Sequence, residues 1–236
     1  MFTLSSVLVF DDVRQKNIIM TPGPANVLSC PFCGGTKEVM SLISGNTCGA
    51  TVWSDTRRYY PMLPEVSPIQ ECPHCHKFYF IEQAKHTYSD DPESTERSYG
   101  KLGKLTFLQL IKAKKQMDCL SLTKMQRWIL NHQIFMAYND CFRREPENVD
   151  IPPSQEEQQL YLNTIDELLD GIGQSANYQL FHAELLREVG KFDEAREILL
   201  NHKSEDDKWI VEAMLKHIEH CNTAPFLLVE NGILIK

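Results

Sequence analysis

The spacing of apolar residues changes near residue 105, and that change divides the reading of the chain. Upstream, apolar residues come in short runs broken by turn formers, the pattern of strands. Ser5 to Phe10 and Asn17 to Met20 predict a hairpin across the polar Asp11–Lys16, and Thr21-Pro22-Gly23-Pro24 a turn or short linker. Lys37 to Ile43 predicts a strand, Ser44-Gly45-Asn46 a turn, and Thr51-Val52-Trp53 a second strand. Arg57 to Pro68 holds three prolines and predicts an extended loop, followed by a strand over Lys77 to Glu82. Thr87 to Gly100 is polar and without period, the best place for a domain boundary.

Downstream the period is helical. Leu105, Leu108 and Ile111 share a face, and Thr106-x-x-Gln109 has the form of a capping box. A second helix is predicted from Thr123 to Arg143, with a stripe of Met125, Trp128, Ile129, His132, Phe135, Met136 and Tyr138; Glu145 to Pro153 breaks it. Ser154-x-x-Glu157 caps a third, faced by Leu160, Tyr161, Ile165, Leu168 and Leu169 and stopped at Gly171–Gly173. Asn177 to Leu200 predicts two helices meeting at Gly190, with Ala183, Leu186, Phe192, Ala195 and Leu199 at the packing positions. This resembles one tetratricopeptide-type hairpin, and no second copy occurs at the expected period of about 34 residues, so no repeat array is implied. Ser204 to His220 makes a last amphipathic helix, and Phe226 to Ile235 a hairpin with an Asn231-Gly232 turn. Two short apolar strands cannot stand alone in water. They must pack on helices, pair with upstream strands or meet a partner.

The cysteines change the picture of the upstream half. Cys30-Pro31-Phe32-Cys33-Gly34 and Cys72-Pro73-His74-Cys75-His76 each have the C-x-x-C spacing that turns two thiolates toward one ion. Two such turns give a tetrahedron of sulfur, which suits Zn²⁺ at about 2.3 Å per bond. Gly34 takes a left-handed turn at no cost; His76, at the equivalent place in the second turn, would be a strained but tolerated left-handed residue. Four protein ligands leave no open position for water, the mark of a structural zinc and not a hydrolytic one. Cys30, Cys33, Cys72 and Cys75 are therefore the expected metal ligands. Cys48, His74, His76 and His86 lie near enough in sequence to replace one, although surface His and buried Cys is the plainer reading. The expected fold class is α+β: a small β zinc ribbon over residues 1–90, then an all-helical module over 101–236 with one tetratricopeptide-like hairpin at about 177–200 and a C-terminal β-hairpin.

Charge and composition narrow the function. The net charge is −8 at pH 7, and only residues 101–150 are basic, with 9 Lys/Arg against 5 Asp/Glu. That single basic stretch reads first as a solvated face, which disfavours nucleic acid as a partner. No apolar run reaches the ~20 residues of a membrane span, and the start lacks a basic leader pattern. Four cysteines in metal spacing, and Cys119, Cys141 and Cys221 in helical patterns where Cys is usually a buried small hydrophobe, fit a reducing cytoplasm better than a disulfide framework.

The two knuckles, the gap of about forty residues between them and the helical hairpin together resemble an uncharacterised bacterial family, the domain of unknown function 2225. The resemblance covers about residues 25–220, and its specific part is Cys30, Cys33, Cys72 and Cys75. It implies zinc and this architecture, and names no reaction. No H-E-x-x-H, G-x-S-x-G or Walker-type loop occurs. The expectation is a non-catalytic cytoplasmic zinc-binding protein that recognises another protein, with no small-molecule substrate. Trp53, Arg57, Arg58 and Tyr59 are residue types that dominate binding hot spots, and core-capping is an equal reading of them. Two alternatives stand beside it. One is a nucleic-acid-binding regulator using the ribbon and the Lys101–Lys115 helix. The other is an enzyme with Cys48 as nucleophile and His74 or His86 as its base.

Overall fold

The computed structural model describes residues 20–63, 65–91, 93, 104–143, 153–172 and 178–235. The hairpin expected over Ser5–Phe10 and Asn17–Met20 lies outside them except for Met20, as do most of the boundary expected over Thr87–Gly100 and of the break expected over Glu145–Pro153. The described chain is mixed helix and antiparallel sheet, and it divides into two compact units. One takes the described residues within Ile18–Cys48 and Tyr59–Tyr138; the other takes those within Gly49–Arg58 and Asn139–Lys236. This grouping cuts across a split between 1–90 and 101–236, because the short strand at Thr51–Trp53 pairs with the last strands of the chain.

The knuckle unit is built from small hairpins. β1 (Thr21–Pro22) pairs with β4 (Leu42–Ser44). β2 (Asn26–Ser29) pairs with both β3 (Thr36–Val39) and β9 (Lys85–Tyr88), giving the order β3-β2-β9. β7 (Ile69–Glu71) pairs with β8 (Phe78–Phe80). The run Lys37–Ile43, expected as one strand, is therefore two, β3 and the start of β4, in different sheets. The chain turns between them, where Gly23 donates to the Ser41 carbonyl at 2.9 Å and Ser41 Oγ to that of Pro24 at 2.7 Å. β9 takes up Thr87 and Tyr88, at the start of the stretch expected as a boundary. All four of its residues are exposed, so its alternation carries no apolar signal.

Two helices complete this unit, α1 (Phe107–Met117) and α2 (Lys124–Asn139). The capping box at Thr106 and Gln109 forms as expected: Gln109 N donates to Thr106 Oγ1 at 3.3 Å, and Thr106 N to Gln109 Oε1 at 2.9 Å. Thr123 and Gln126 repeat it at 3.1 and 3.0 Å. The third residue is glutamine in both boxes, and its free Nε2 has a second use. Gln109 Nε2 reaches Glu71 at 3.1 Å and Gln126 Nε2 reaches Glu82 at 2.9 Å, which a glutamate could not do. Gln116 brackets the Phe78 backbone, accepting from its N–H at 3.0 Å and donating to its carbonyl at 2.8 Å. Three amides thus fasten the helices to the β7–β8 region.

In the helical unit, α3 (Gln155–Ile172) starts at the expected Ser154–Glu157 box, with Ser154 N on Glu157 Oε2 at 2.8 Å and Glu157 N on Ser154 Oγ at 3.2 Å. It runs into the expected stop at Gly171. α4 (Gln179–Glu188) and α5 (Phe192–Leu200) pack on each other across Gly190. Gly190 has φ of 77°, and Lys191 N reaches back to the Leu186 carbonyl at 2.9 Å, the left-handed closure that favours glycine. Ala183 and Ala195 are fully buried, which lets the two backbones approach closely. α6 (Lys208–Glu219) follows a 3-10 turn at Glu205–Asp207, so the last helix begins later than Ser204. The end of α2 tightens likewise into a 3-10 turn over Asp140–Phe142, short of the expected Arg143. The final hairpin, β10 (Leu227–Glu230) and β11 (Ile233–Leu234), turns at Asn231 and Gly232 with φ of 50° and 82°. β10 then pairs with β5 (Thr51–Trp53), in the sheet order β11-β10-β5-β6, where β6 is Arg58–Tyr59. This resolves what the terminal strands lean on: an upstream strand.

Cysteines outside the knuckles do not behave as buried hydrophobes. Cys48, Cys119 and Cys221 are exposed, and Cys141 is half-buried. Burial pushes the Cys141 thiol up to about 11. Cys221 ends α6 with φ of 51°, a left-handed position where a helix closes.

Candidate metal centre

Each knuckle is the tight end of a hairpin, and the local sequence dictates it. β2 leads into Cys30, the chain reverses over Pro31–Gly34, and β3 leaves; β7 leads into Cys72 and β8 leaves after Lys77. The two turns have the same hydrogen bonds. Cys30 N donates to the Gly35 carbonyl at 2.9 Å and Gly34 N to the Cys30 carbonyl at 2.9 Å; Cys72 N donates to Lys77 and His76 N to Cys72, both at 3.0 Å. Gly34 has φ of 71° and His76 of 55°, so His76 does occupy the strained left-handed place. A β-carbon there costs about 1 kcal/mol. His76→Gly is expected to raise the stability of the metal-loaded unit by roughly 0.5–1 kcal/mol in denaturant unfolding, since the His76–Glu71 contact it gives up is long, 3.4 Å, and exposed.

The turns bring four sulfurs together. The Sγ atoms of Cys30, Cys33, Cys72 and Cys75 all lie within 4.8 Å of one another, and among the described residues this group consists of these four alone. Cys30 Sγ is 3.8 Å from Cys75 Sγ and Cys33 Sγ is 3.6 Å from Cys72 Sγ. These separations are far too long for disulfides. They match the edge of a tetrahedron with metal–sulfur bonds of about 2.3 Å, which is about 3.8 Å. Backbone N–H groups turn inward on the sulfurs: Phe32 N on Cys30 and Gly35 N on Cys33 at 3.4 Å, His74 N and Cys75 N on Cys72 at 3.4 and 3.5 Å. Donors aimed at sulfur stabilise the thiolate form that a metal needs.

The electrostatics say the same. Burial opposes ionisation of Cys72, but the N–H groups of Cys75 and His74 and the thiols of Cys75 and Cys33 outweigh it and bring it down to about 6. At Cys33 the Gly35 N–H favours the thiolate but loses to desolvation and to the other three sulfurs, and the group is pushed up to about 12. Four sulfurs this close cannot all ionise together unless a cation shares the space. Beneath them Leu28, Cys30, Val39, Cys72, Tyr79 and Ala84 form one buried cluster, joined by Val66, Cys75 and Ile81. Burial and then the four cysteines raise the Tyr79 hydroxyl to about 12.

The nearby histidines are engaged elsewhere. His74 Nε2 lies 3.2 Å from the Thr36 carbonyl, and its ring fills the space a β-carbon on Gly35 would need, 2.4 Å from Cδ2. His86 stands between Asn26 Nδ2 and the Ile81 carbonyl, both at 3.0 Å. Cys48 N is held by Asn46 Oδ1 at 2.9 Å in an exposed turn. Neither Cys48 nor a histidine belongs to the sulfur group.

The aromatic and basic loop divides by burial. Arg57 is buried and bonds Asp140 Oδ2 at 3.0 Å, and Trp53 lies half-buried with the Arg143 guanidinium 5.5 Å from its ring. Arg57 therefore lies within the buried part of its unit and Trp53 partly so. Arg58 is half-buried, and Tyr59 is exposed. What the sequence pattern does not reveal is the company these residues keep: Asp55, Asn139, Arg143, Tyr161, Glu184, Arg187 and Glu188 are all buried in the same unit. Their spacing, Glu184-x-x-Arg187-Glu188 above all, is that of an exposed helix face, so no pattern marks them.

No helix among the described residues is long and apolar enough to cross a membrane. Comparison of the chain with protein-family models, with curated proteins and with solved structures returned no match.

Proposed function

We propose that this chain is a non-catalytic, cytoplasmic zinc-binding protein whose metal is structural and whose work is recognition of another protein. The observation that carries the reading is the mutual approach of the four sulfurs, all within 4.8 Å. A set of four thiolates selects zinc over hard cations and fills its tetrahedral shell, leaving no place for a reacting water. The two matched hairpins with β9 beside the first support reading this part as a zinc ribbon, a module too small to hold a core without its ion. Cysteines kept as free thiols suit a reducing compartment. For the partner, the packing of α4 on α5 across Gly190 supports reading the pair as a tetratricopeptide-like hairpin, and Tyr59 is 59% exposed beside Arg58.

The test has two parts. Protein purified without chelator is expected to carry one zinc per chain by elemental analysis, and a photo-crosslinker at position 59 is expected to capture a defined protein in cells. Zinc well below one per chain after loading would remove the metal assignment. A crosslinker that captures nothing, at 59 and on the α5 face alike, would remove the recognition role.

A further inference from the structure

The helical unit holds a second concentration of chemistry. The carboxyls of Asp55, Glu184 and Glu188 have side chains no more than 1% exposed, and the guanidiniums of Arg143 and Arg187 that face them are fully buried. A third guanidinium, Arg57, is turned to Asp140, whose side chain is 22% exposed. Among the described residues the deeply buried set therefore has three carboxyls against two cations, and Arg143 is shared with Asp140 as well. An unpaired buried carboxylate costs several kcal/mol, so one of the three must carry a proton.

The geometry shows which. Asp55 takes Arg143 and, at 3.2 Å each, the Arg57 N–H and Asn139 Nδ2. Glu184 takes Arg187 through two bonds, Nε at 2.8 Å and Nη2 at 2.7 Å. Glu188 has Arg187 only at 3.8 Å, with Asn139 Nδ2 at 2.9 and 3.2 Å and the Tyr161 hydroxyl. We propose that Glu188 carries the proton beside an ionised Glu184 and that the two, through Arg187, form a pH-operated latch on the segment Asn222–Phe226.

Arg187 is the joint of that latch. Its Nη1 donates to the Asn222 carbonyl, and its guanidinium lies 5.1 Å from the Phe226 ring. Phe226 is also stacked on His217 at 3.7 Å and exchanges bonds with Ser54, whose N–H donates to the Phe226 carbonyl at 2.9 Å while Ser54 Oγ accepts from Phe226 N at 3.0 Å. This clamp starts β10 beside β5. With the proton in place, one guanidinium satisfies one carboxylate and still holds the Asn222 carbonyl. Without it, two carboxylates compete for Arg187, and the bond to Asn222 is the one that yields.

The groups around the dyad support this. They are Ser54 and Asp55 after β5, Asn139 and Arg143 at the end of α2, Tyr161 on α3, Arg187 on α4 and His217 on α6. Burial, then Glu184 and Asp55, hold Glu188 well above the usual carboxylate range, while Arg187 overcomes burial to keep Glu184 low. Burial raises Asp55, and burial with Glu188 raises Tyr161. Burial, then Arg187, lowers His217, so that ring supplies no compensating charge at neutral pH. A carboxyl whose folded value is raised contributes stability fully present below its unfolded value, about 4.3, and lost as pH rises toward the folded one. One linked proton raises the opening constant up to tenfold per pH unit across that window.

The experiment is amide hydrogen exchange from about pH 6 to about pH 9, corrected for the intrinsic rate, on the full chain. Protection of Ser54, Phe226 and the β10 amides is expected to fall with rising pH in the wild type, by up to about tenfold per pH unit. In Glu188→Gln, whose side chain is neutral at every pH, it is expected to stay level. Wild-type protection that does not change with pH overturns the proposal, and so does an equal fall in the variant. Should the variant fail to fold, infrared difference spectra of the wild type decide: a protonated-carboxyl carbonyl band that titrates away with rising pH supports the latch, and its absence at neutral pH overturns it.

Discussion

Replacing Cys30 and Cys72 together by serine is expected to abolish zinc retention and unfold both knuckles while the helical unit keeps its structure. Each substitution removes the buried first sulfur of one turn, and with it the acceptor for the inward N–H groups of Phe32, His74 and Cys75. Structural zinc contributes on the order of 10 kcal/mol to a site of this type, more than a small unit can replace from its core. Elemental analysis after dialysis against a weak chelator reads the first effect, and amide exchange of β2, β3, β7 and β8 the second. Retention of a full equivalent of zinc by the double variant would show that the sulfurs are not the ligands. Loss of zinc with unchanged protection would show a metal that is bound but does not hold the unit.

Arg187→Met is expected to be the most damaging single substitution in the helical unit. The guanidinium is fully buried, and its removal leaves the ionised Glu184 without its bidentate partner and Asn222 without its donor. Breaking one side of a buried pair costs about 3–5 kcal/mol. Removing both sides is far cheaper, so Arg187→Met with Glu184→Leu is expected to recover most of the loss, a coupling that urea unfolding measures. A single-variant loss below about 1 kcal/mol would mean that water reaches this pair and that the charge accounting around it fails.

Much of this fold is legible in local chemistry. The C-x-x-C spacing places the four sulfurs, and Gly34, Gly190 and the Asn231-Gly232 turn stand at the left-handed positions their residue types suggest. The Thr106 and Ser154 caps form at their sequence signatures. What is not legible depends on distant partners. β2 and β7 are short and acquire strand geometry from the hairpins the cysteines close, not from alternation. β9 has no apolar face to detect. Arg57 has the character of a surface contact residue and is buried, because Asp140 lies across from it, far along the chain. Glu184, Arg187 and Glu188 follow the spacing of a solvated helix, and only the convergence of β5, α3 and the 222–226 segment removes them from water.

The pairing of β5 with β10 also sets an order of events. Val52 faces Val229 and Trp53 faces Leu227, so a strand translated early waits for one translated near the end. Both knuckles are complete by residue 75, and metal capture can proceed while most of the chain is still unmade. Until β10 emerges from the ribosome, β5 has an open edge with apolar Val52 and Trp53, the kind of edge that chaperones cover and neighbouring chains invade. Losses in cellular yield from changes near either strand should therefore arise during synthesis as much as from the finished protein.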